Sequence, residues 1–108
     1  EKTQDFDRIT IILAIDYGGR NEIIRAVNKS KGNKMTEEDF RKFLDTKDIP
    51  DPDMIIRTGG EKRLSGYMPF QAAYSELFFT EKLFPDFSAK DIERAIDEFH
   101  KRKRRFGG

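Results

Sequence analysis

Arg57, Arg63 and Ser65 fall within nine consecutive residues, Arg57-Thr58-Gly59-Gly60-Glu61-Lys62-Arg63-Leu64-Ser65. A guanidinium group is permanently charged and presents a planar fork that matches phosphate oxygens two at a time. A serine hydroxyl adds a short donor, and paired glycines let backbone N–H groups turn toward an anion at close range. The set therefore suits a diphosphate cradle. Each charge-assisted hydrogen bond contributes about 1.5–3 kcal/mol net, so three or four would hold a small diphosphate at micromolar concentration. A second loop of the same kind, Asp16-Tyr17-Gly18-Gly19-Arg20, lies upstream. On these residues alone, ordinary turns with solvated charges remain the alternative.

Both loops need a scaffold that brings them to one place. Ile9 to Ile15 is almost wholly apolar and β-branched and stops at Asp16 and a glycine pair. A continuous run of this kind reads as a strand buried on both faces, as in a parallel sheet. Met54-Ile55-Ile56, between Pro52 and Gly59-Gly60, is a shorter example, and Leu77-Phe78-Phe79 is a third. Both glycine-arginine loops then follow the carboxyl ends of strands, where open α/β sheets bind ligands.

Helices are expected between the strands. Glu22 to Asn28 carries Ile23, Ile24 and Val27 on one face. Thr36 reads as an N-cap with Asp39 three positions on, Met35 and Phe40 are spaced for a hydrophobic staple, and Phe40, Phe43 and Leu44 form the buried stripe. Ser88 opens the last helix in the same way, with Asp91, the pair Phe87 and Ile92, and the apolar positions Ile92, Ala95, Ile96 and Phe99. Strands alternating with helices give an α/β class with a parallel sheet. Three strands and three helices give thin cover for a run as apolar as Ile9 to Ile15, so residues 1–108 are read as a single partial domain with sheet edges and apolar surface exposed.

Composition excludes several classes. Of the 108 residues, 38% are charged and 36% apolar, and no apolar run reaches the ~20 residues of a membrane-spanning helix. Cysteine is absent, which excludes disulfides and thiolate metal sites. A net charge of +1 is no argument for nucleic acid, although Lys101 to Arg105 is a basic run. Asp91, Glu93, Asp97 and Glu98 share its helix, and basic residues suit a helix C-terminus electrostatically. The single His100 falls on a polar helix face, and the ten Phe are read as packing. Tyr67, Phe70 and Tyr74 lie near the cradle in sequence, with packing the plainer role for them.

The run Ile56-Arg57-Thr58-Gly59-Gly60-Glu61-Lys62-Arg63-Leu64-Ser65, followed by Gln71-Ala72-Ala73-Tyr74-Ser75-Glu76-Leu77-Phe78-Phe79, closely resembles the signature of cis-prenyltransferases of the undecaprenyl diphosphate synthase type. Asp16-Tyr17-Gly18-Gly19-Arg20 resembles an upstream motif of that family. Phe84-Pro85-Asp86-Phe87 and Arg104-Arg105-Phe106-Gly107-Gly108 resemble downstream ones. The resemblance runs in order from about Ile9 to Gly108 and implies the C-terminal part of the parallel-sheet family fold, the N-terminal half being absent. It departs from the commonest pattern at Asp16 (Asn usual), Gly59 (Ser frequent), Gly66 (Asn frequent), and Phe70 and Phe84 (often Trp), leaving the charged set intact.

The resemblance further implies prenyl transfer, the cis-condensation of isopentenyl diphosphate onto an allylic diphosphate (farnesyl or geranylgeranyl diphosphate), with Mg²⁺. By position, Arg57, Arg63 and Ser65 match residues that grip the isopentenyl diphosphate, Glu61 orients Arg57 or Arg63, and Glu76 matches a carboxylate of the metal site. Arg20 matches a motif arginine of structural role. Arg105 and Gly107 match an Arg-x-Gly motif that reaches a partner's active site in a homodimer. The family's N-terminal aspartate loop has no counterpart, so no catalytic residue is assigned here and the chain is expected to be inactive alone. The alternative is a non-catalytic partner subunit of a heteromeric cis-prenyltransferase, although such subunits usually lose the cradle that is complete here. A cytoplasmic protein is expected, touching membrane only through its lipid product.

Overall fold

The computed structural model describes residues 9–107 and, in the last helix, side chains as far as Arg102. In chain order the elements are α1 (Gly19–Ser30), α2 (Glu37–Arg41), β1 (Met54–Arg57), β2 (Glu76–Phe79), a 3₁₀ turn (Phe84–Asp86) and α3 (Ala89–Gly107). β1 and β2 form a two-stranded parallel sheet with Met54 opposite Glu76 and Arg57 opposite Phe79. The expected α/β class, the two shorter strands and the order of the helices are all present.

Local chemistry accounts for the helix starts. Thr36 Oγ1 accepts from the Asp39 N–H at 3.1 Å and Asp39 Oδ2 accepts from the Thr36 N–H at 3.2 Å, a complete capping box. Ser88 and Asp91 repeat it at α3: Asp91 Oδ2 accepts from the Ser88 N–H at 2.8 Å, and Ser88 Oγ accepts from the Asp91 N–H at 3.4 Å. Lys82 Nζ adds a bond to Asp91 Oδ1 at 2.8 Å. The Lys82 ammonium and the Ser88 N–H hold the Asp91 carboxyl down at about 2, against an ordinary 3.8.

Two expectations are corrected. Ile9 to Ile15 forms no strand, and Ile9, Ile11, Ile12, Leu13 and Ile15 are 57–84% exposed. A strand exists only through its ladder partner. Among the described residues the sole ladder is β1–β2, so the apolar run has nothing to pair with. In α1 the inward face is not Ile23, Ile24 and Val27. Gly19, Glu22, Ala26 and Ser30 are buried, while Ile24 and Val27 face outward. Gly19, Ala26 and Ser30 on that face are small, and the longer Glu22 is buried through its hydrogen bonds.

Among the described residues the buried apolar set is correspondingly small: Ala26, Leu44, Ala72 and Ala95. The radius of gyration is 16.3 Å, where a compact domain of this length has roughly 13 Å. Open sheet edges and an exposed apolar run follow from the same thin layer.

Candidate functional site

A cleft of about 890 Å³ opens where the two glycine-arginine loops meet. One wall is Tyr17-Gly18-Gly19-Arg20-Asn21, the entry to α1. The other is the end of β1 (Ile55, Ile56, Arg57) with Leu64, Ser65, Gly66 and Tyr67. Loops 37 residues apart, counted from Arg20 to Arg57, thus line one cleft.

Gly19 makes the junction possible. A Cβ on it would lie 1.9 Å from the Gly66 carbonyl oxygen and 2.4 Å from Pro69 Cδ, so no larger residue fits there. Gly18 is the N-cap of α1 and supplies no side-chain cap, so the opening N–H groups of the helix border the cleft without one. A helix N-terminus of this kind favours a negative ligand.

Arg57 closes its own loop. Its Nη1 donates to Ser65 Oγ at 2.9 Å and also to the Arg63 carbonyl oxygen. Ser65 has φ +51°, the left-handed region that disfavours side chains, and the Arg57 bond accompanies that conformation. Arg63 Nε pairs with Glu61 Oε2 at 3.1 Å. Of the two arginines that Glu61 could orient, it takes Arg63. Arg63 and Glu61 are both exposed and stand outside the cleft lining, whereas Arg57 and Ser65 are in it.

The glycine pair of this loop does something other than expected. Gly59 and Gly60 have φ of +92° and +85°, and their N–H groups donate to the carbonyls of Lys82 and Thr80, both at 2.9 Å. They extend the pairing with the segment after β2 and do not turn toward an anion. The cradle is therefore made by side chains.

Glu76 does not join the cleft. It opens β2 opposite Met54, at the far end of the ladder from Arg57. Arg102 from α3 pairs with Glu76 Oε2 at 3.5 Å, donates to the Leu77 carbonyl at 3.0 Å and stacks 4.2 Å above the Phe78 ring. Among the described residues no three His, Cys, Asp or Glu side chains come together as a metal site. These residues alone do not fit Mg²⁺. Arg20 borders the cleft. Arg105 and Gly107 lie in α3, and their side-chain surroundings fall outside the described residues, as does Gly108.

Of the aromatics near the cradle, Tyr67 lines the cleft and meets Tyr17 edge-on at 5.5 Å, while Phe70 packs on Phe40 at 5.2 Å. Tyr74 is almost fully exposed. Sequence reasoning missed Glu22 and Gln71, the largest fully buried side chains. The Tyr17 hydroxyl donates to Glu22 Oε1, and the Asp45 N–H donates to Glu22 Oε2 at 2.8 Å. Burial and the bond to Glu22 both raise the Tyr17 phenol well above its ordinary value. Gly19, Glu22, Ala26 and Ser30 at successive turns were the available sign that this polar face points inward.

The motif order and this geometry agree with the comparisons. The family model described as "Putative undecaprenyl diphosphate synthase" matches residues 1–107. The chain belongs to the undecaprenyl diphosphate synthase family. It is 55% identical to an isoprenyl transferase of Thermotoga maritima over all of its own length and 49% of that relative's. An isoprenyl transferase of Fusobacterium nucleatum is 50% identical over 48% of its length. The crystal structure of a probable undecaprenyl diphosphate synthase from Campylobacter jejuni matches with a TM-score of 0.81 at 39% identity, over 99% of this chain and 51% of that one. The chain spans about half the length of the curated relatives it matches, and its α/β fold is that of the corresponding part of an undecaprenyl diphosphate synthase.

Proposed function

We propose that this chain supplies the isopentenyl diphosphate cradle for cis-prenyl transfer. The observation that carries the reading is the single cleft in which Arg57 and Ser65 face the uncapped N-terminus of α1. A diphosphate entering it would take the Arg57 guanidinium from its loop contacts and neutralise a charge that otherwise faces water. Arg63, swung in from its exposed pair with Glu61, would bind a second oxygen. Both phosphates would then be fixed and the isopentenyl tail directed along the cleft.

In the proposed reaction the isopentenyl double bond attacks C1 of an allylic diphosphate. The carbon–oxygen bond to the leaving diphosphate breaks, and loss of a proton leaves a cis double bond. The residues described here bind and orient the isopentenyl substrate and form no covalent bond with it. Residues 1–108 form one partial domain in this reading. The polyprenyl diphosphate product and a homodimer completed through Arg105 and Gly107 belong to the same proposal, whereas Glu76, paired with Arg102, stands apart from the cleft.

Incorporation of labelled isopentenyl diphosphate, measured at the full length of the relatives with farnesyl diphosphate and Mg²⁺, tests it. Incorporation that Arg63→Ala reduces sharply supports the cradle. A folded protein that binds neither diphosphate supports the non-catalytic subunit instead.

A further inference from the structure

The two walls of the cleft are distant in sequence, and one buried carboxylate joins them. Glu22 is 1% exposed. On one side it holds Tyr17, which lines the cleft. On the other, Gln71 Nε2 donates to Glu22 Oε1 at 3.1 Å and to Oε2 at 3.2 Å, and to Thr46 Oγ1 at 3.0 Å. Gln71 ends the stretch 66–71 that leads directly out of the cradle loop, and the Gly66 carbonyl in that stretch is the group against which Gly19 is pressed. The Asp45 N–H, on Glu22 Oε2, adds the connection after α2 as a third tether.

We propose that Glu22 and Gln71 clamp the two walls together and fix the width of the cleft, which makes both of them positioning residues for substrate binding. The inference rests on the reading of this cleft as the isopentenyl diphosphate site. Its force comes from where the buried bonds run, between the two walls of the cleft. Gln71 is 2% exposed, and its Oε1 has no hydrogen-bond partner among the described residues. An apolar side chain of similar length would remove this orphaned acceptor but would strip the buried Glu22 carboxylate of both bonds from Gln71. What the amide supplies, and an apolar residue would not, is the two-oxygen grip on Glu22. Ser65 lies directly before the clamped stretch and accepts from Arg57 at 2.9 Å, so a shift at Gln71 reaches the cradle through Tyr67 and Gly66. Displacements of about an ångström at positioning groups cost up to about 10²-fold in rate or binding.

The test uses the full-length protein and two variants, Gln71→Met and the exchanged pair Glu22→Gln with Gln71→Glu, which restores one carboxylate facing one amide. Gln71→Met is expected to raise the KM for isopentenyl diphosphate about tenfold, the equivalent of one lost hydrogen bond, while kcat and the KM for the allylic diphosphate change less than about threefold. Exchange of the Tyr67 and Ala72 amide hydrogens should quicken in the same variant, and the exchanged pair should recover both readouts. Thr36→Ala, which weakens a cap remote from the cleft, is the comparator for a loss of stability only. Equal rises in both KM values, or a Thr36→Ala variant that behaves like Gln71→Met, would overturn the clamp. If Gln71→Met does not fold, Gln71→Asn keeps the amide but withdraws it by one methylene, and the same outcomes apply. A wild-type protein that binds no isopentenyl diphosphate contradicts the function proposed for the site. The exchange rates still decide the clamp: unchanged protection at Tyr67 and Ala72 in the variant refutes it.

Discussion

At the scale of single residues, the site depends on a few groups with no equivalent replacement. Arg57 is one, because its guanidinium both closes the loop through Ser65 and faces the cleft. Arg57→Lys keeps the charge but loses the fork, and isopentenyl diphosphate binding should weaken by about one order of magnitude in a calorimetric titration. Gly19 is another. Its Cβ position is occupied by the Gly66 carbonyl oxygen and Pro69, so Gly19→Ala should lower unfolding stability by about 3 kcal/mol in a urea titration. The two residues differ in how they could be read. Arg57 stands out as a candidate through residue type and spacing, which are local. Glu22 and Gln71 did not, since what makes them important is a meeting across 49 positions of chain. Gly59 and Gly60 looked like anion ligands for the same reason in reverse: their true acceptors, Lys82 and Thr80, are remote in sequence.

At the scale of elements, those whose signals are local were legible. The capping boxes at Thr36 and Ser88 need only three residues' spacing, and β1 and β2 are short apolar runs between turn residues. The face that α1 buries was not, because apolar patterning identifies side chains that avoid water and says nothing of a face made of small residues and a hydrogen-bonded Glu22. The Asp91 cap carries a pH prediction. Its folded value of about 2 lies below the ordinary 3.8, so its contribution is present above about pH 4 and is lost as pH falls toward 2. Asp39, Asp45 and Asp51 are lowered as well, by the Thr36 cap, by Arg25 and by Arg41, and act in the same direction. Thermal midpoints should therefore fall steeply between about pH 4 and 2, and Asp91→Asn should flatten part of that slope.

At the scale of the whole molecule, the exposed run from Ile9 to Ile15 and the outward Ile24 and Val27 are the dominant feature. The sequence required this run to be buried, and the structure shows nothing among the described residues for it to pair with. Contiguous apolar surface drives association. The 108-residue chain should self-associate in sedimentation at tens of micromolar or thereabouts, and Leu13→Asp should reduce this without changing diphosphate binding, since Leu13 lies outside the cleft lining. Family membership fits this picture, with the chain matching 51% of the solved Campylobacter jejuni protein.

In the proposed function Arg57 and Ser65, facing the start of α1, hold the diphosphate of isopentenyl diphosphate. The most direct measurement is calorimetric titration of isopentenyl diphosphate into the wild-type protein and into Arg57→Ala, with thermal midpoints recorded for both. Binding by the wild type is expected, with a loss of about ten- to hundredfold in the variant and a midpoint within a few degrees of the wild type's. Equal affinity in two equally stable proteins would contradict it.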